Sequence, residues 1–75
     1  MADETLDAIG LDCPLPLVKT LQTLENLDTG QVLQVLCTDP GSITDFQVFC
    51  KTTGNELLSH SANDGVYSFL IKRQI

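Results

Sequence analysis

One cysteine in this chain stands where its sulfur could act as a nucleophile. Cys13 is followed by Pro14-Leu15-Pro16, and a helical pattern begins directly after it. Pro14 suits the first helical position because its φ is already fixed and its missing N–H is not needed there, so Cys13 is the predicted N-cap. The partial positive charge of a helix N-terminus favours a thiolate over a thiol. The sequence therefore predicts a nucleophilic Cys13 with a depressed thiol pKa.

The neighbours of Cys13 refine this prediction. Pro14 and Pro16 stiffen the helix entry and lack N–H groups, which leaves the Leu15 N–H as the predicted partner of a sulfur anion. Asp12 places a negative charge beside the sulfur, so we expect a pKa toward the upper end of the range of roughly 3.5 to 7.5 that helix N-terminal cysteines reach. The alternative is a buried packing cysteine. A loop-to-helix junction is usually at the surface, which favours the reactive role.

The other two cysteines carry a different pattern. Cys37 lies on the apolar face of a predicted strand and Cys50 on the apolar stripe of a predicted helix, which favours core packing for both. The three cysteines include no CxxC pair, and the single histidine, His60, has no identifiable partner. We therefore expect free thiols, a solvated His60, no metal site and no cofactor.

The first half of the chain predicts a strand, a helix and a second strand. Residues Thr5 to Ile9 alternate in polarity, as a short strand does. A period near 3.6 then predicts an amphipathic helix that ends near Gly30, with apolar positions at Leu17, Val18, Leu21, Leu24 and Leu27. Gln31 to Cys37 is predicted to be a strand whose Leu33, Val35 and Cys37 share one face.

The second half begins with a turn at Asp39-Pro40-Gly41-Ser42. Ser42 and Asp45 form an approximate capping box for a second helix, which Gly54 should end. The apolar stripe of this helix consists of Ile43, Phe46, Phe49, Cys50 and Thr53. Strands at Leu57 to Ala62 and Val66 to Arg73 flank Asn63-Asp64-Gly65, a hairpin signal.

The predicted order is β-α-β-α-β-β in one domain over residues 1–75. Two right-handed crossovers place both helices on one face of a four-stranded mixed sheet. The first two strands are then parallel, and the last two form an antiparallel hairpin. The expected fold is a two-layer α/β (α+β) sandwich.

Charge and composition exclude several classes of function. The net charge is −6 with only four basic residues, which argues against binding to nucleic acid or to an anionic membrane surface. It permits steering toward a basic patch on a protein partner. The chain has no apolar run near the ~18 residues that span a bilayer. Its acidic start, Met1-Ala2-Asp3-Glu4, lacks the order of a signal peptide, so we expect a cytoplasmic location.

The segment Gly10-Leu11-Asp12-Cys13-Pro14-Leu15-Pro16-Leu17 resembles the Cys-Pro-x-Pro signature of the TusA/SirA-like sulfur carrier proteins. The resemblance continues in order through Thr38-Asp39-Pro40-Gly41-Ser42, Asp45-Phe46, Phe49 to Leu57 and Phe69 to Arg73. The chain departs from many members at Asp45-Phe46-Gln47, where they have Asp-Ile-Pro. The expected two-layer fold agrees with that of the family it resembles.

The resemblance implies a sulfurtransferase-type carrier that holds sulfur as a persulfide on Cys13. Its donors are then a cysteine desulfurase or a rhodanese-like protein, and its acceptors belong to tRNA-thiolation relays or to dissimilatory sulfur oxidation. One alternative is a non-catalytic regulatory or redox-sensing interaction module that uses Cys13 as its sensor. Another is an RNA-binding domain, because this layout recurs there, but fold alone is weak evidence and the basic surface is missing.

Overall fold

The computed structural model describes residues 2–75, so Met1, the first residue of the acidic N-terminal stretch, lies outside the described residues. The elements follow the predicted order β-α-β-α-β-β. They are β1 (Glu4–Ala8), α1 (Leu15–Glu25), β2 (Val32–Cys37), α2 (Ser42–Thr53), β3 (Glu56–Asn63) and β4 (Val66–Lys72). The largest difference from the sequence prediction is the end of α1. Its C-cap is Asn26, well before Gly30.

The four strands form one mixed sheet in the order β1-β2-β4-β3. β1 and β2 are parallel, whereas β4 is antiparallel to both of its neighbours. Val35 at the centre of β2 pairs with Leu6 on one side and with Phe69 on the other. The predicted four-stranded α+β fold is confirmed.

The core lies between one face of the sheet and the two helices. Phe46 of α2 stacks on Phe69 of β4 with ring centroids 4.5 Å apart. Cys37 and Cys50 are both buried, as predicted from their apolar faces. The buried hydrophobic residues are Ala8, Leu24, Leu33, Val35, Cys37, Phe46, Cys50, Phe69 and Ile71.

Helix α1 is rotated relative to the predicted apolar stripe. Its buried residues are Pro16, Thr20 and Leu24, whereas Val18 and Leu21 are 45% and 43% exposed. The Thr20 hydroxyl donates a hydrogen bond of 2.7 Å to the Pro16 carbonyl, which satisfies the polar atom and lets threonine enter the core. The prediction that Val18 and Leu21 face the core is therefore wrong.

The start of α2 also differs from prediction. Its N-cap is Gly41 and receives no side-chain cap from residues 2–75, so the predicted capping box between Ser42 and Asp45 is wrong. Asp39 instead accepts the Gly41 N–H on its Oδ1 at 3.0 Å. Ser42 is left buried, and its hydroxyl has no hydrogen-bond partner among the described residues. This orphaned polar atom lies next to the candidate site described below.

Two predicted turns are confirmed by backbone conformation. Gly54 ends α2 with a φ of 82°, a left-handed conformation that glycine adopts without steric cost. Asp64 and Gly65 have φ values of 52° and 79°, so both central residues of the hairpin have the positive φ that a tight two-residue turn requires. Both turns therefore follow directly from local residue types.

Arg73 ties the end of the chain to α1. Its Nη1 donates to the carbonyl oxygens of Leu24 at 2.8 Å and Glu25 at 3.3 Å, and also to that of Leu27. A cation at a helix C-terminus donates hydrogen bonds to carbonyls that lack a partner within the helix. It also interacts favourably with the negative end of the helix dipole. Arg73 thus acts at the opposite end of α1 from Cys13. None of the helices within residues 2–75 combines the length and apolar character required to cross a membrane.

Candidate functional site

Cys13 lies on the loop between β1 and α1, at the carboxyl end of the parallel strand pair. Ala8 and Cys37, the last residues of β1 and β2, are register partners, so the loops after them leave the sheet side by side. The Gly10 N–H donates to the Thr38 hydroxyl at 3.0 Å and joins the two loops. The Cys13 side chain is exposed, and its peptide bond to Pro14 is cis.

The helix entry differs in detail from the sequence prediction. Pro14, not Cys13, occupies the N-cap position, and α1 begins at Leu15 with Pro16 in its first turn. The Leu15 N–H donates to the Asp12 carbonyl at 2.9 Å, so it is not available to a sulfur anion as predicted. Pro14 and Pro16 do frame the entry, but Cys13 lies outside the helix.

A shallow depression, which we term the Cys13 concavity, separates the starts of the two helices. Its lining comprises Cys13, Pro16, Leu17, Asp39, Ser42, Asp45 and Phe46. The Cys13 sulfur and carboxylate oxygens of Asp39 and Asp45 all lie within 4.8 Å of one another. Both carboxylates are half-buried, whereas the thiol is exposed. A nucleophile, two acidic groups and an apolar wall therefore meet at one place.

Sequence reasoning missed Asp39 and Asp45 as site residues. It assigned Asp39 to a turn and Asp45 to a helix cap. The available signal was the predicted parallel pairing of the first two strands, because the loops after parallel strands lie at the same end of the sheet. That rule places the Asp39 turn, and the helix that follows it, beside the Cys13 loop.

The surroundings of Cys13 raise the pKa of its thiol, whereas the sequence predicts a depressed pKa. Desolvation raises the pKa of the Cys13 thiol. The negative charge of Asp45, the interaction of the thiol with that carboxylate, and the charge of Asp39 raise this pKa further. Asp12 is not among the causes of the shift. The predicted depression and the predicted role of Asp12 are therefore wrong, and the free thiol is the favoured form at neutral pH.

The two remaining thiols are inaccessible. Cys50 is 3% exposed, and burial raises the pKa of its thiol to about 11. Cys37 is fully buried, and its sulfur accepts the Asp39 N–H at 3.5 Å. All three cysteines belong to the described residues, so Cys13 is the one thiol that the surface of this domain presents.

The remaining candidates from the sequence lie elsewhere. His60 is exposed on β3, where its ring centroid is 6.2 Å from that of Phe69. Lys51, Lys72 and Arg73 do not line the Cys13 concavity. The described part of the chain therefore brings acidic groups, and no basic side chain, to the lining around the thiol.

Fold and site together define a small α+β domain that presents a single thiol in an acidic setting. The family model described as Sulfurtransferase TusA matches residues 4–73. The sulfur carrier protein TusA of Allochromatium vinosum is 51% identical over 71 residues, which cover 95% of this chain and 93% of that protein. A putative sulfur carrier protein of Neisseria meningitidis serogroup A is 43% identical over 74 residues, which cover 99% of this chain and 100% of that protein. The chain belongs to the TusA sulfurtransferase family.

A solved structure supports the same assignment. The crystal structure of the SirA-like protein from Desulfitobacterium hafniense matches with a TM-score of 0.82 and 26% sequence identity. The match covers 96% of this chain and 99% of that one. The resemblance inferred from the sequence is thereby confirmed at the level of family and fold.

Proposed function

We propose that this protein is a sulfur carrier that accepts sulfane sulfur as a persulfide on Cys13 and passes it to a downstream protein. The observation that carries the proposal is that Cys13 is exposed, whereas Cys37 and Cys50 are buried. Membership of the TusA family supports it, as do a relative named sulfur carrier protein in Allochromatium vinosum and one named putative sulfur carrier protein in Bacillus subtilis. Such a carrier needs an accessible thiol and a docking surface, and both can be built in a small domain.

The loading step is a sulfur exchange that balances without an external oxidant. The Cys13 sulfur attacks the terminal sulfur of a donor persulfide and forms a new S–S bond. The S–S bond of the donor breaks, and the donor cysteine leaves as a thiolate that takes up a proton. Delivery repeats the exchange: an acceptor attacks the terminal sulfur, and Cys13 returns to its thiol form. No cofactor takes part in either step.

In this proposal a neighbouring carboxylate accepts the proton of the Cys13 thiol. Only the thiolate attacks efficiently, and Cys13 is held in the thiol form by its surroundings. The Asp45 carboxylate is the group that the thiol contacts, so Asp45 is placed to accept the proton as the new S–S bond forms. A cationic group on the donor, placed against Asp39 and Asp45, would lower the pKa of Cys13 and activate the thiol within the complex.

The acidic lining of the Cys13 concavity favours a partner with a basic surface. A donor of the cysteine desulfurase or rhodanese type, and the acceptor that follows it, should present basic residues to the Cys13 concavity. Leu15, Val18 and Leu21 are 48%, 45% and 43% exposed on α1 and offer an apolar surface to the partner. We propose a cytoplasmic relay toward tRNA thiolation or toward dissimilatory sulfur oxidation, with no direct contact to nucleic acid or membrane.

Mass spectrometry tests the proposal directly. The protein is incubated with a cysteine desulfurase and cysteine, and a mass increase of one sulfur atom that dithiothreitol removes is expected. Cys13→Ser should abolish the increase, and because Cys13 is exposed the variant should fold normally. Cys37→Ala and Cys50→Ala should retain it. Full loading of the Cys13 variant would overturn the carrier proposal.

The alternative function, a redox-sensing regulatory module, requires a different reaction of Cys13. A redox sensor uses a low-pKa, accessible cysteine that peroxide oxidises readily. The raised pKa of Cys13 disfavours that reaction. Rapid oxidation of Cys13 by peroxide, in a protein that gains no sulfur from the desulfurase, would favour the sensor instead.

A further inference from the structure

Three side chains that can ligate a metal ion meet at the Cys13 concavity. A thiolate and two carboxylates can approach one point, because their ligand atoms already lie within 4.8 Å of one another. Tetrahedral zinc has Zn–S distances of about 2.3 Å and Zn–O distances of about 2.0–2.2 Å, which place sulfur and oxygen ligands roughly 3.5 Å apart. Cys13 is exposed and both aspartates are half-buried, so rotation about side-chain bonds can close the difference.

A second, independent observation concerns Ser42, which lines the same concavity. Ser42 is 2% exposed, its hydroxyl has no hydrogen-bond partner within residues 2–75, and it lines the Cys13 concavity. A buried polar atom without a partner costs free energy, which is why such atoms are rare in folded proteins. A cation held by the neighbouring side chains would offer this hydroxyl a partner.

We propose that Cys13, Asp39 and Asp45 form a binding site for Zn²⁺, beside the buried Ser42 hydroxyl, and that bound Zn²⁺ blocks the Cys13 sulfur. Binding replaces water ligands of aqueous Zn²⁺ with one Zn–S bond and two Zn–O bonds, and it releases the thiol proton and the displaced water to solvent. Mixed sulfur and carboxylate ligands suit borderline Zn²⁺, whereas Mg²⁺ requires an octahedral shell of oxygen ligands. The net charge of −6 attracts cations to the molecule as a whole.

The site is distinct in its chemistry from the proposed sulfur relay. Sulfur transfer uses the Cys13 sulfur as a nucleophile, whereas the metal occupies the electron pair that would attack. Zn²⁺ binding therefore requires no sulfur donor, and the inference can be tested on the unloaded protein. Failure of the desulfurase to load Cys13 would leave the metal site intact, and failure to bind Zn²⁺ would leave the carrier proposal intact.

Calorimetric titration of the full, reduced chain with zinc chloride is the first experiment. One equivalent should bind, and Mg²⁺ should not bind at the same concentrations. Cys13→Ser should abolish binding, while Asp39→Asn and Asp45→Asn should each weaken it by about tenfold or more, since even outer groups of metal sites cost 10–100-fold when removed. Asp12→Asn is the matched control: it removes a neighbouring charge outside the site and should bind normally.

Alkylation of Cys13 by iodoacetamide supplies the second readout. Zn²⁺ should slow the reaction of the natural chain in proportion to its occupancy, because the metal-bound sulfur cannot attack. Asp45→Asn should react faster than the natural chain without Zn²⁺ and should show little protection when Zn²⁺ is added. The inference is overturned if the natural chain binds no Zn²⁺, if Cys13→Ser binds it equally, or if Mg²⁺ protects the thiol as well as Zn²⁺.

Discussion

The Asp45 carboxylate on α2 faces the Cys13 thiol on the loop before α1, with oxygen and sulfur within 4.8 Å of each other. This relationship opposes the effect expected of a cysteine at a helix N-terminus. Cys13 lies outside the first turn of α1, whereas two carboxylates lie beside its sulfur. Desolvation, together with these negative charges, therefore raises the pKa of the Cys13 thiol.

The pH profile of Cys13 alkylation should reveal this balance. Only the thiolate reacts, so a raised pKa places the midpoint of the rate profile above that of an ordinary cysteine. Asp45→Asn removes the larger charge contribution and should move the midpoint to lower pH, with a several-fold faster reaction at neutral pH. Asp39→Asn should act in the same direction but less strongly. Asp12→Asn should leave the profile unchanged; a shift as large as that of the Asp45 variant would contradict the assignment.

Sulfur transfer from an enzyme donor should slow as ionic strength rises. The acidic concavity attracts a basic partner surface, and salt screens such attraction over about 8 Å at physiological ionic strength. Alkylation of Cys13 by a small neutral reagent involves no such steering and should change little over the same salt series. Equal insensitivity of both rates to salt would remove the electrostatic part of the docking argument.

Arg73 should contribute to stability without affecting the thiol. Arg73→Ala removes a charged donor to the Leu24, Glu25 and Leu27 carbonyls near the end of α1. The free energy of unfolding, measured in urea, should fall by about 1–3 kcal/mol, the usual range for charged hydrogen bonds and orphaned polar groups. Arg73→Lys keeps the charge and should lose less. An altered alkylation rate of Cys13 in the folded Arg73→Ala protein would contradict its assignment to the far end of α1.

Two buried hydroxyls should respond oppositely to removal. The Ser42 hydroxyl has no hydrogen-bond partner in the described part of the chain, so Ser42→Ala should leave the free energy of unfolding unchanged or raise it by up to about 1 kcal/mol. Thr20 donates to the Pro16 carbonyl, so the isosteric Thr20→Val should lower stability by about 1 kcal/mol. Urea unfolding in the presence of a chelator measures the free energy of unfolding of both variants. A clear loss of stability in Ser42→Ala would show that its hydroxyl has a partner.

Local patterns in the sequence were sufficient for the order of elements and for several of their ends. Gly54 and the Asp64-Gly65 turn depend on backbone conformations that few residue types adopt, so residue identity alone predicts them. The burial of Cys37 and Cys50 follows from the periodicity of their own strand and helix. Residue order alone therefore distinguishes these two cysteines from Cys13.

The rotation of α1 could not be predicted in the same way. Its apolar residues fit more than one helical face, and Thr20 occupies a core position that a hydropathy pattern assigns to leucine. The deciding contact is a hydrogen bond of Thr20 to its own helix, which removes the cost of burying a hydroxyl. Val18 and Leu21 remain exposed.

The sequence by itself determined the family resemblance, the fold class and which of the three cysteines is exposed. Only the tertiary structure decided the electrostatic setting of that cysteine. Parallel pairing of β1 with β2 brings Asp39 and Asp45 beside Cys13, although both are distant from it along the chain. The pKa of a thiol depends on charges through space. For that reason the predicted helix N-terminal position of Cys13 misled the sequence prediction, and the fold set the direction of the shift.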